Sequence, residues 1–430
     1  MALDDADRHC PLRAVRRGVR PAGRAALAVW LLATTGCAPL AAWRGPRPAS
    51  GAIPAEAARV DPAAADSLVA LVYGDNRSGY RMQTHSTEFG AVRGLAKGPR
   101  HWPIGLALLP LFLIETIVPS LDGPRDAVTM LTRRPSGGGE RRVLRALEKA
   151  GPADLVISTG DLVADGRRGR QWEDFVARHR TLRERVPYRA APGNHERLWD
   201  PVARGNWDVA MGAPRARERY WYAVDVPRAG ARFLFLETDP LADVHNDYPD
   251  SLERALADQQ LAWADSMLAL PARYRFVVQH HPLVSAGHYL HDWAPDSAGD
   301  PVPARRERLL ELCAAHRVTA VLAGHEHLYH RAFVADRRGG GFWHVTLGGG
   351  GAPLHRVSSR ERRASLAQPM PSGLWLDPAR SYQKTTYHFA RLVLPCGGDR
   401  AARLEVYRVP WRGPVVRLDQ LVLEPSRRAR

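Results

Sequence analysis

The sequence predicts an α/β fold, and three observations carry that expectation. Short apolar runs at 68–73, 154–158, 275–279 and 318–323 have the length and composition of buried strands. Helical patterns at 140–150, 252–268 and 304–316 lie between them. Just beyond each run stands a small polar block, where an open α/β sheet places its ligand crevice.

Composition narrows the class. At 430 residues the chain exceeds a usual single domain, so one large core with appendages, or two domains, is expected. A hydrophobic content of 45% fits a globular protein and excludes both wholesale disorder and a multi-span membrane protein. The net charge of +16 comes mostly from arginine spread along the chain. No Lys/Arg block is interleaved with aromatic residues, so nucleic acid is not an expected partner. The four cysteines, Cys10, Cys37, Cys313 and Cys396, show neither zinc-finger spacing nor a C-x-x-C pair; Cys313 and Cys396 are a candidate pair in an oxidising compartment.

The chain opens on a targeting segment. Arg13, Arg16, Arg17, Arg20 and Arg24 precede the apolar stretch 25–33, which ends in Thr34-Thr35-Gly36-Cys37. A basic region, a short apolar core and small residues before the cut site predict a signal peptide over 1–36 rather than a membrane span. A cysteine directly after Gly36 resembles a bacterial lipoprotein cleavage box, with Cys37 the lipidated first residue of the mature protein. The expected location is therefore the bacterial cell envelope, on a lipid anchor; an ordinary secretory signal is the alternative. Residues 37–66, rich in Ala, Pro and Gly, read as a flexible tether.

From 67 the elements follow in order. The run 68–73 stops at Gly74-Asp75. An insertion near 101–120 holds the apolar stretch 104–118, broken by Pro110, with basic residues on both sides. As a helix it spans roughly 22 Å, too short for a bilayer crossing. It reads either as an interfacial segment adding a second membrane contact or as a helix covering the sheet. The helix 140–150 leads to the strand 154–158, which stops at Gly160-Asp161. The helix 252–268 precedes the strand 275–279, which stops at His280. The helix 304–316 precedes the strand 318–323, which stops at Gly324-His325. The last third changes character: 341–347 runs into Gly348–Gly351, and 387–394 with 403–409 flank a Pro-Cys-Gly-Gly-Asp turn as a hairpin. This third is expected to form a second, largely antiparallel sheet on the first, closing a domain over 67–425 before a basic tail at 426–430.

The polar blocks are Gly74-Asp75-Asn76-Arg77, Gly160-Asp161, Gly193-Asn194-His195-Glu196, His280-His281-Pro282 and Gly324-His325-Glu326-His327. They offer carboxylate, amide and imidazole groups and no thiol, the donor set of a hard-to-borderline divalent metal. In this order they resemble the calcineurin-like metallophosphoesterase superfamily, and most its purple-acid-phosphatase-like branch. Gly324-His325-Glu326-His327-Leu328-Tyr329-His330-Arg331 is similar to that branch's Gly-His-x-His-x-Tyr-x-Arg signature. Gln260-Leu261-Ala262-Trp263 and Gly348-Gly349-Gly350-Gly351-Ala352-Pro353 resemble it too.

The resemblance implies a four-layer α/β/β/α sandwich of two mixed sheets with flanking helices. It implies two divalent ions, Mn, Zn or Fe, bridged by Asp161. Asp75 and His327 complete the first position; Asn194, His280 and His325 complete the second, the ligand being His280 rather than His281 from its spacing to Pro282. His325 and His327 are expected on one face of an extended turn, each reaching a different ion. His195 lies next to the phosphate, stabilising charge or protonating the leaving oxygen, with Glu196 orienting it. His281, His288 and His291 are further candidates for substrate contact.

Two positions depart from the pattern. Many superfamily members carry Asp-x-His in the first block, where this chain has Arg77, a permanent cation without an acceptor. Purple acid phosphatases supply a tyrosine three residues after the bridging aspartate, where this chain has Ala164. The first position is one ligand short, and a ferric centre is not expected. Arg77 is read as holding Asp75 or as forking onto the substrate phosphate. The expected function is a dinuclear metal-dependent hydrolase of phosphate mono- or diesters that uses a hydroxide shared by the ions, with substrate selection in loops 242–249 and 285–301. The alternative is an envelope-anchored binding or scaffolding protein with an impaired first metal position.

Overall fold

A computed structural model describes residues 58–59, 66–78, 138–212, 219–242, 248–295, 297–397 and 400–426. All of them fall in one compact unit, Leu40–Arg81 with Gly123–Arg430. The predicted signal peptide 1–36, Cys37, most of the tether, the stretch 104–118 and residues 427–430 lie outside the described residues.

The strands in chain order are β1 (Ala58–Arg59), β2 (Ser67–Tyr73), β3 (Leu155–Ser158), β4 (Tyr188–Ala190), β5 (Tyr222–Val226), β6 (Ala231–Phe235) and β7 (Tyr274–Val278). They continue with β8 (Ala320–Ala323), β9 (Tyr329–Asp336), β10 (Gly341–Leu347), β11 (Leu374–Lys384), β12 (His388–Pro395), β13 (Ala402–Arg408) and β14 (Val416–Leu423). The α-helices are α1 (Gly138–Glu148), α2 (Gly169–Arg178), α3 (Arg180–Arg185), α4 (Pro201–Met211), α5 (Asp239–Ala242), α6 (Asp250–Ala269), α7 (Val302–Ala315) and α8 (Ser359–Leu366). Two mixed sheets result, an eight-stranded one in the order β1-β5-β6-β7-β8-β10-β9-β11 and a six-stranded one in the order β14-β13-β12-β2-β3-β4. Within them β2, β3 and β4 run parallel, as do β6, β7, β8 and β10.

Side-chain alternation sorts the layers. Phe233, Phe235, Phe276, Val278, Leu322 and Val345 join one core with Leu68, Val156 and Leu392 of the other sheet. Their neighbours Leu234, Val277, Val321 and Phe342 join a second core with Ala257, Ala264 and Leu268 of α6 and Leu309 and Leu310 of α7. A period of two thus gives the eight-stranded sheet two buried faces, one toward its partner sheet and one toward helices. Val143 and Leu147 of α1 and Trp172 and Phe175 of α2 pack with the first core, which flanks the six-stranded sheet with helices as well. Helix ends carry their own signals: Asp200 caps α4 by accepting from Val202 N (2.7 Å), Pro201 opens the helix and Gly212 closes it in the left-handed conformation.

The expected strands and helices are all present, their ends shifted by a few residues. The last third does not form a sheet of its own. β10 is buried on both faces, so it takes β8 and β9 as neighbours and extends the eight-stranded sheet. β12 instead pairs antiparallel with β2 and carries its hairpin into the six-stranded sheet. Cys313 and Cys396 are both free thiols, so the candidate pairing is not made; burial pushes the Cys313 thiol up to about 12. The pair Ala58–Arg59, inside the expected tether, runs parallel to β5.

Gln260 of α6 explains one of the sequence motifs. Its Oε1 accepts from Glu237 N and its Nε2 donates to Glu237 O, both at 2.7 Å, which locks the turn leaving β6. The Glu237 side chain is buried beneath Tyr248, whose hydroxyl donates to Oε1 at 2.7 Å. Burial pushes this carboxyl from 4.5 up to about 7. The folded state therefore keeps a proton that the unfolded chain gives up above 4.5. The stabilisation is full below that pH and is lost as pH rises through 7. Glu237→Gln is expected to flatten the fall in thermal stability between pH 5 and 8 by roughly 1–3 kcal/mol. Thermal unfolding at both pH values measures it, and an unchanged slope contradicts this account.

Candidate metal centre

The centre lies where five parallel strands end, β2, β3 and β4 in one sheet and β7 and β8 in the other. Backbone pairing outlasts the strands: Asp75 N donates to Gly160 O (2.9 Å), Arg77 N to Asp161 O (2.9 Å) and Ser78 N to Leu162 O (2.7 Å). Six described non-glycine residues have positive φ, and four of them, Asp75, Arg77, Asp161 and His325, are in this centre. Such backbone is uncommon and concentrates at functional sites. Two glycines allow the loops to approach. A Cβ on Gly193 collides with Asp161 Oδ1, and one on Gly324 lies 2.7 Å from Asp75 Oδ2.

Three acceptor atoms converge on His280 Nε2. Asn194 Oδ1 is 3.0 Å from it, His325 Nδ1 3.1 Å and Asp161 Oδ1 3.3 Å. The His280 tautomer is set from behind: its Nδ1 donates to Thr159 O (2.9 Å), which leaves the lone pair on Nε2. His325 Nε2 stands 3.0 Å from Asp292 Oδ2, and its Nδ1 faces His280. Lone pairs facing one another in a buried site fit a cation between them. A second group, Asp75, Asp161 and His327, brings its donor atoms within 4.8 Å of one another. There His327 Nδ1 donates to Pro353 O (2.6 Å), and its Nε2, without a hydrogen-bond partner, stands 3.4 Å from Asp75 Oδ1. Both groups fit divalent ions, and all six predicted ligands are brought together.

Burial lowers the pKa of His280, His325 and His327, which keeps them neutral and able to ligate. Burial works against the Asp161 carboxylate, but the neighbouring His280, His195 and Arg77 outweigh it and hold the carboxyl below the usual range. Asp75, beside Asp161, is raised by burial and by that neighbour's charge.

The other candidates are placed differently from one another. The Arg77 side chain bonds Asp161, and its charge also acts on Asp75, where it lowers the pKa. The extended pairing of 75–78 sets it beside Asp161, and its Nε (2.9 Å) and Nη2 (2.8 Å) both bond Asp161 Oδ2. His195 donates its backbone N–H to Asp161 Oδ1 (3.1 Å) and its Nδ1–H to Ala164 O (2.6 Å); burial and Arg77 lower its pKa to about 4. His281 is buried within the same cluster, its Nδ1 on Thr238 Oγ1 at 2.8 Å. His288 sits at the rim and reaches the centre through a stack of rings, His288 on His355 (4.4 Å) and His355 on His327 (4.0 Å). His291 is 71% exposed and is not part of the centre. His325 is not in an extended turn: its φ is 68°, and Glu326 N and Leu328 N close tight turns onto Gly324 O and Glu326 O.

Glu196 does not orient His195. Its buried carboxylate accepts from the backbone of Gly193 (2.7 Å), Leu162 (2.8 Å), Asp161 (2.9 Å) and Val163 (3.3 Å). Glu326, between the two ligand histidines, does the same in the other sheet: it accepts from Ala286 N (2.6 Å), Ser285 Oγ (2.7 Å), His288 N (3.1 Å) and Tyr289 N (3.3 Å). Sequence reasoning missed this role for both glutamates, and it missed Asp292 and His355 outright. A signal existed for the glutamates, since each adjoins a ligand in a block of otherwise ligating residues. Glu196→Ala leaves four buried amides without an acceptor and is expected to cost roughly 3 kcal/mol or more. Glu196→Gln, which keeps one acceptor oxygen, is expected to cost less. Denaturant unfolding of both variants measures this; equal losses contradict it.

Comparison with known proteins agrees with this geometry. Residues 136–329 match the family model "Calcineurin-like phosphoesterase". "Probable inactive purple acid phosphatase 24" of Arabidopsis thaliana is 26% identical over 250 residues, 51% of this chain and 38% of that protein. The "Nucleotide pyrophosphatase/phosphodiesterase" of Hordeum vulgare is 27% identical over 207 residues, 44% of this chain and 51% of that one. "Tartrate-resistant acid phosphatase type 5" of Sus scrofa is 28% identical over 208 residues, 44% of this chain and 57% of that one. The chain thus spans 38–57% of the length of these relatives. A purple acid phosphatase from yellow lupin (Lupinus luteus) seeds shares the fold, with a TM-score of 0.50 at 18% identity over 84% of this chain and 55% of that one. The chain therefore carries a calcineurin-like phosphoesterase domain over residues 136–329 and is similar to purple acid phosphatases in sequence and in fold.

Proposed function

We propose that the protein hydrolyses phosphate mono- or diesters at a centre of two divalent metal ions. The observation that carries this reading is the convergence of Asn194, His280, His325 and Asp161 on one point, with Asp75 and His327 on the other side of Asp161. When bound, the ions would supply an activated water and neutralise phosphate oxygens for in-line attack.

The chain's own groups then have separable tasks. Asp161 presents Oδ1 to the second position while Arg77 holds Oδ2. His195 is fixed by Ala164 O, which leaves its Nε2 to exchange a proton with the leaving oxygen. The negative charge of an arriving phosphate offsets the burial and the Arg77 charge that lower this imidazole. His288, Tyr289 and His355 form an aromatic wall leading outward from His327 and His325, suited to the alcohol portion of the ester. His281, anchored on Thr238, backs the second position. Arg77 is also the observation that favours the other reading, a binding or scaffolding protein, because it brings a cation to the first position. The complete second set of donors weighs against that reading.

Addition of Mn2+ or Zn2+ to metal-free protein is expected to restore hydrolysis of p-nitrophenyl phosphate, of bis(p-nitrophenyl) phosphate, or of both. Asp161→Ala and His280→Ala are expected to lower kcat/KM by about a hundredfold or more. Metal bound at both positions with no turnover on a broad panel of phosphate esters refutes the enzyme and favours the binding protein.

We further propose that the chain acts outside the cytoplasm on a lipid anchor at Cys37, supported by the basic and apolar residues that precede it. No helix among the described residues is long and apolar enough to cross a membrane. The segment 104–118 is a second membrane contact in this proposal. Metabolic labelling with a lipid precursor is expected to mark the wild type and not Cys37→Ser; label independent of Cys37 refutes the anchor.

A further inference from the structure

The fold sets Arg77 against Asp161. The backbone bonds that run 75–78 alongside 160–162, completed by the parallel bridge Ser78–Val163 and by Asn76 Nδ2 on Leu162 O (2.8 Å), set its Cα beside Asp161. Arg77 and Asp161 both have left-handed backbone, so this register is built in rather than adopted by the side chain alone. From that position both Nε and Nη2 close on Asp161 Oδ2, while Oδ1 faces His280 Nε2. The guanidinium is only 7% exposed and stays protonated under all ordinary conditions, so its charge is permanent.

We infer that Arg77 makes the two metal positions unequal. The second position, with His280, His325, Asn194 and Asp161, fills first and tightly. The first position, with Asp75, Asp161 and His327, fills only at higher metal concentration, against the guanidinium that shares Asp161. Two effects act in the same direction: the first position has fewer protein donors, and a fixed cation stands on one of them. If the phosphoesterase reading holds, on which this consequence rests, hydrolysis follows occupancy of the weak position. Turnover is then governed by divalent-ion supply in the surroundings rather than by substrate alone.

Titration of the metal-free full chain with Mn2+, followed by calorimetry, tests the inference without reference to activity. The wild type is expected to show one tight event and a second at least about tenfold weaker. Arg77→Gln, which removes the charge, is expected to tighten the weak event by about tenfold, and Arg77→Lys, which keeps a cation, to leave it weak. His280→Ala is expected to abolish the tight event and His327→Ala only the weak one, which decides the matter even where the Arg77 variants fail to fold. Two events of equal affinity in the wild type, loss of the tight event in His327→Ala, or a weak event indifferent to Arg77→Gln in a folded protein overturns it. Unequal events without turnover of any phosphate ester leave the inference standing and remove the proposed function; equal events with turnover do the reverse.

Discussion

Everything at this centre depends on holding like groups together. Asp75 and Asp161 are adjacent buried carboxylates, and around them stand imidazole nitrogens and an amide oxygen that also present lone pairs. Such groups repel one another and lose solvation on burial, so the centre cannot be the source of its own stability. The restraint comes from backbone amides gathered by carboxylates. Glu196 joins the loop after β3 to the loop after β4. Glu326 joins the loop after β7 to the loop after β8. Asp75 takes the third place, accepting from His325 N with both oxygens (3.0 and 2.9 Å) and so tying one sheet to the other. A carboxyl group accepts from several N–H groups at once, which lets one buried side chain fix a whole turn.

Because the ligands come from both sheets, the seam between the sheets matters as much as either sheet alone. Gly350 N on Gly74 O and Ala352 N on Asp75 O, both at 2.8 Å, lay the glycine run against the first block, close enough that side chains there would collide with Gly74 and Glu326. Farther along β9, Tyr329 Oη (2.8 Å) and Arg331 Nε (2.7 Å) both reach Asp419 Oδ2 on β14, the far strand of the other sheet. The stretch from Gly324 to Arg331 therefore divides its work. His325 and His327 each enter one of the two candidate donor groups, while Tyr329 and Arg331 pin the sheets that bring those groups together.

The parts legible in the sequence are those where a local pattern has a single structural meaning. Continuous apolar runs such as 68–73 and 318–323 are buried strands because nothing else that short is apolar throughout, and the blocks follow them because ligands gather at strand ends. Sheet membership was not legible. Whether 341–347 and 387–394 pair with each other or with distant strands depends on register partners more than a hundred residues away for β12, which local patterning does not encode. The same limit applies at the centre. Glu196 stands beside His195 in sequence, yet it serves amides of residues 161–163 as well as 193; Asp292, in a short 3-10 turn, becomes a partner of His325 only through the fold.

Arg77 shows how one substitution in a metal-binding block changes meaning with geometry. Read along the chain, it is an absent ligand two residues after Asp75. In the fold it is a cation placed on Asp161, the carboxylate that both metal positions would share in the proposed centre. A missing ligand weakens only its own position, whereas a charge on a shared ligand bears on both, and unequally. Oδ1 faces His280 and accepts one N–H, from His195, while Oδ2 is engaged by two N–H groups of Arg77. The proposed asymmetry would therefore be a property of Asp161, transmitted by which of its oxygens each neighbour takes, and the backbone register of 75–78 against 160–162 sets Arg77 beside it.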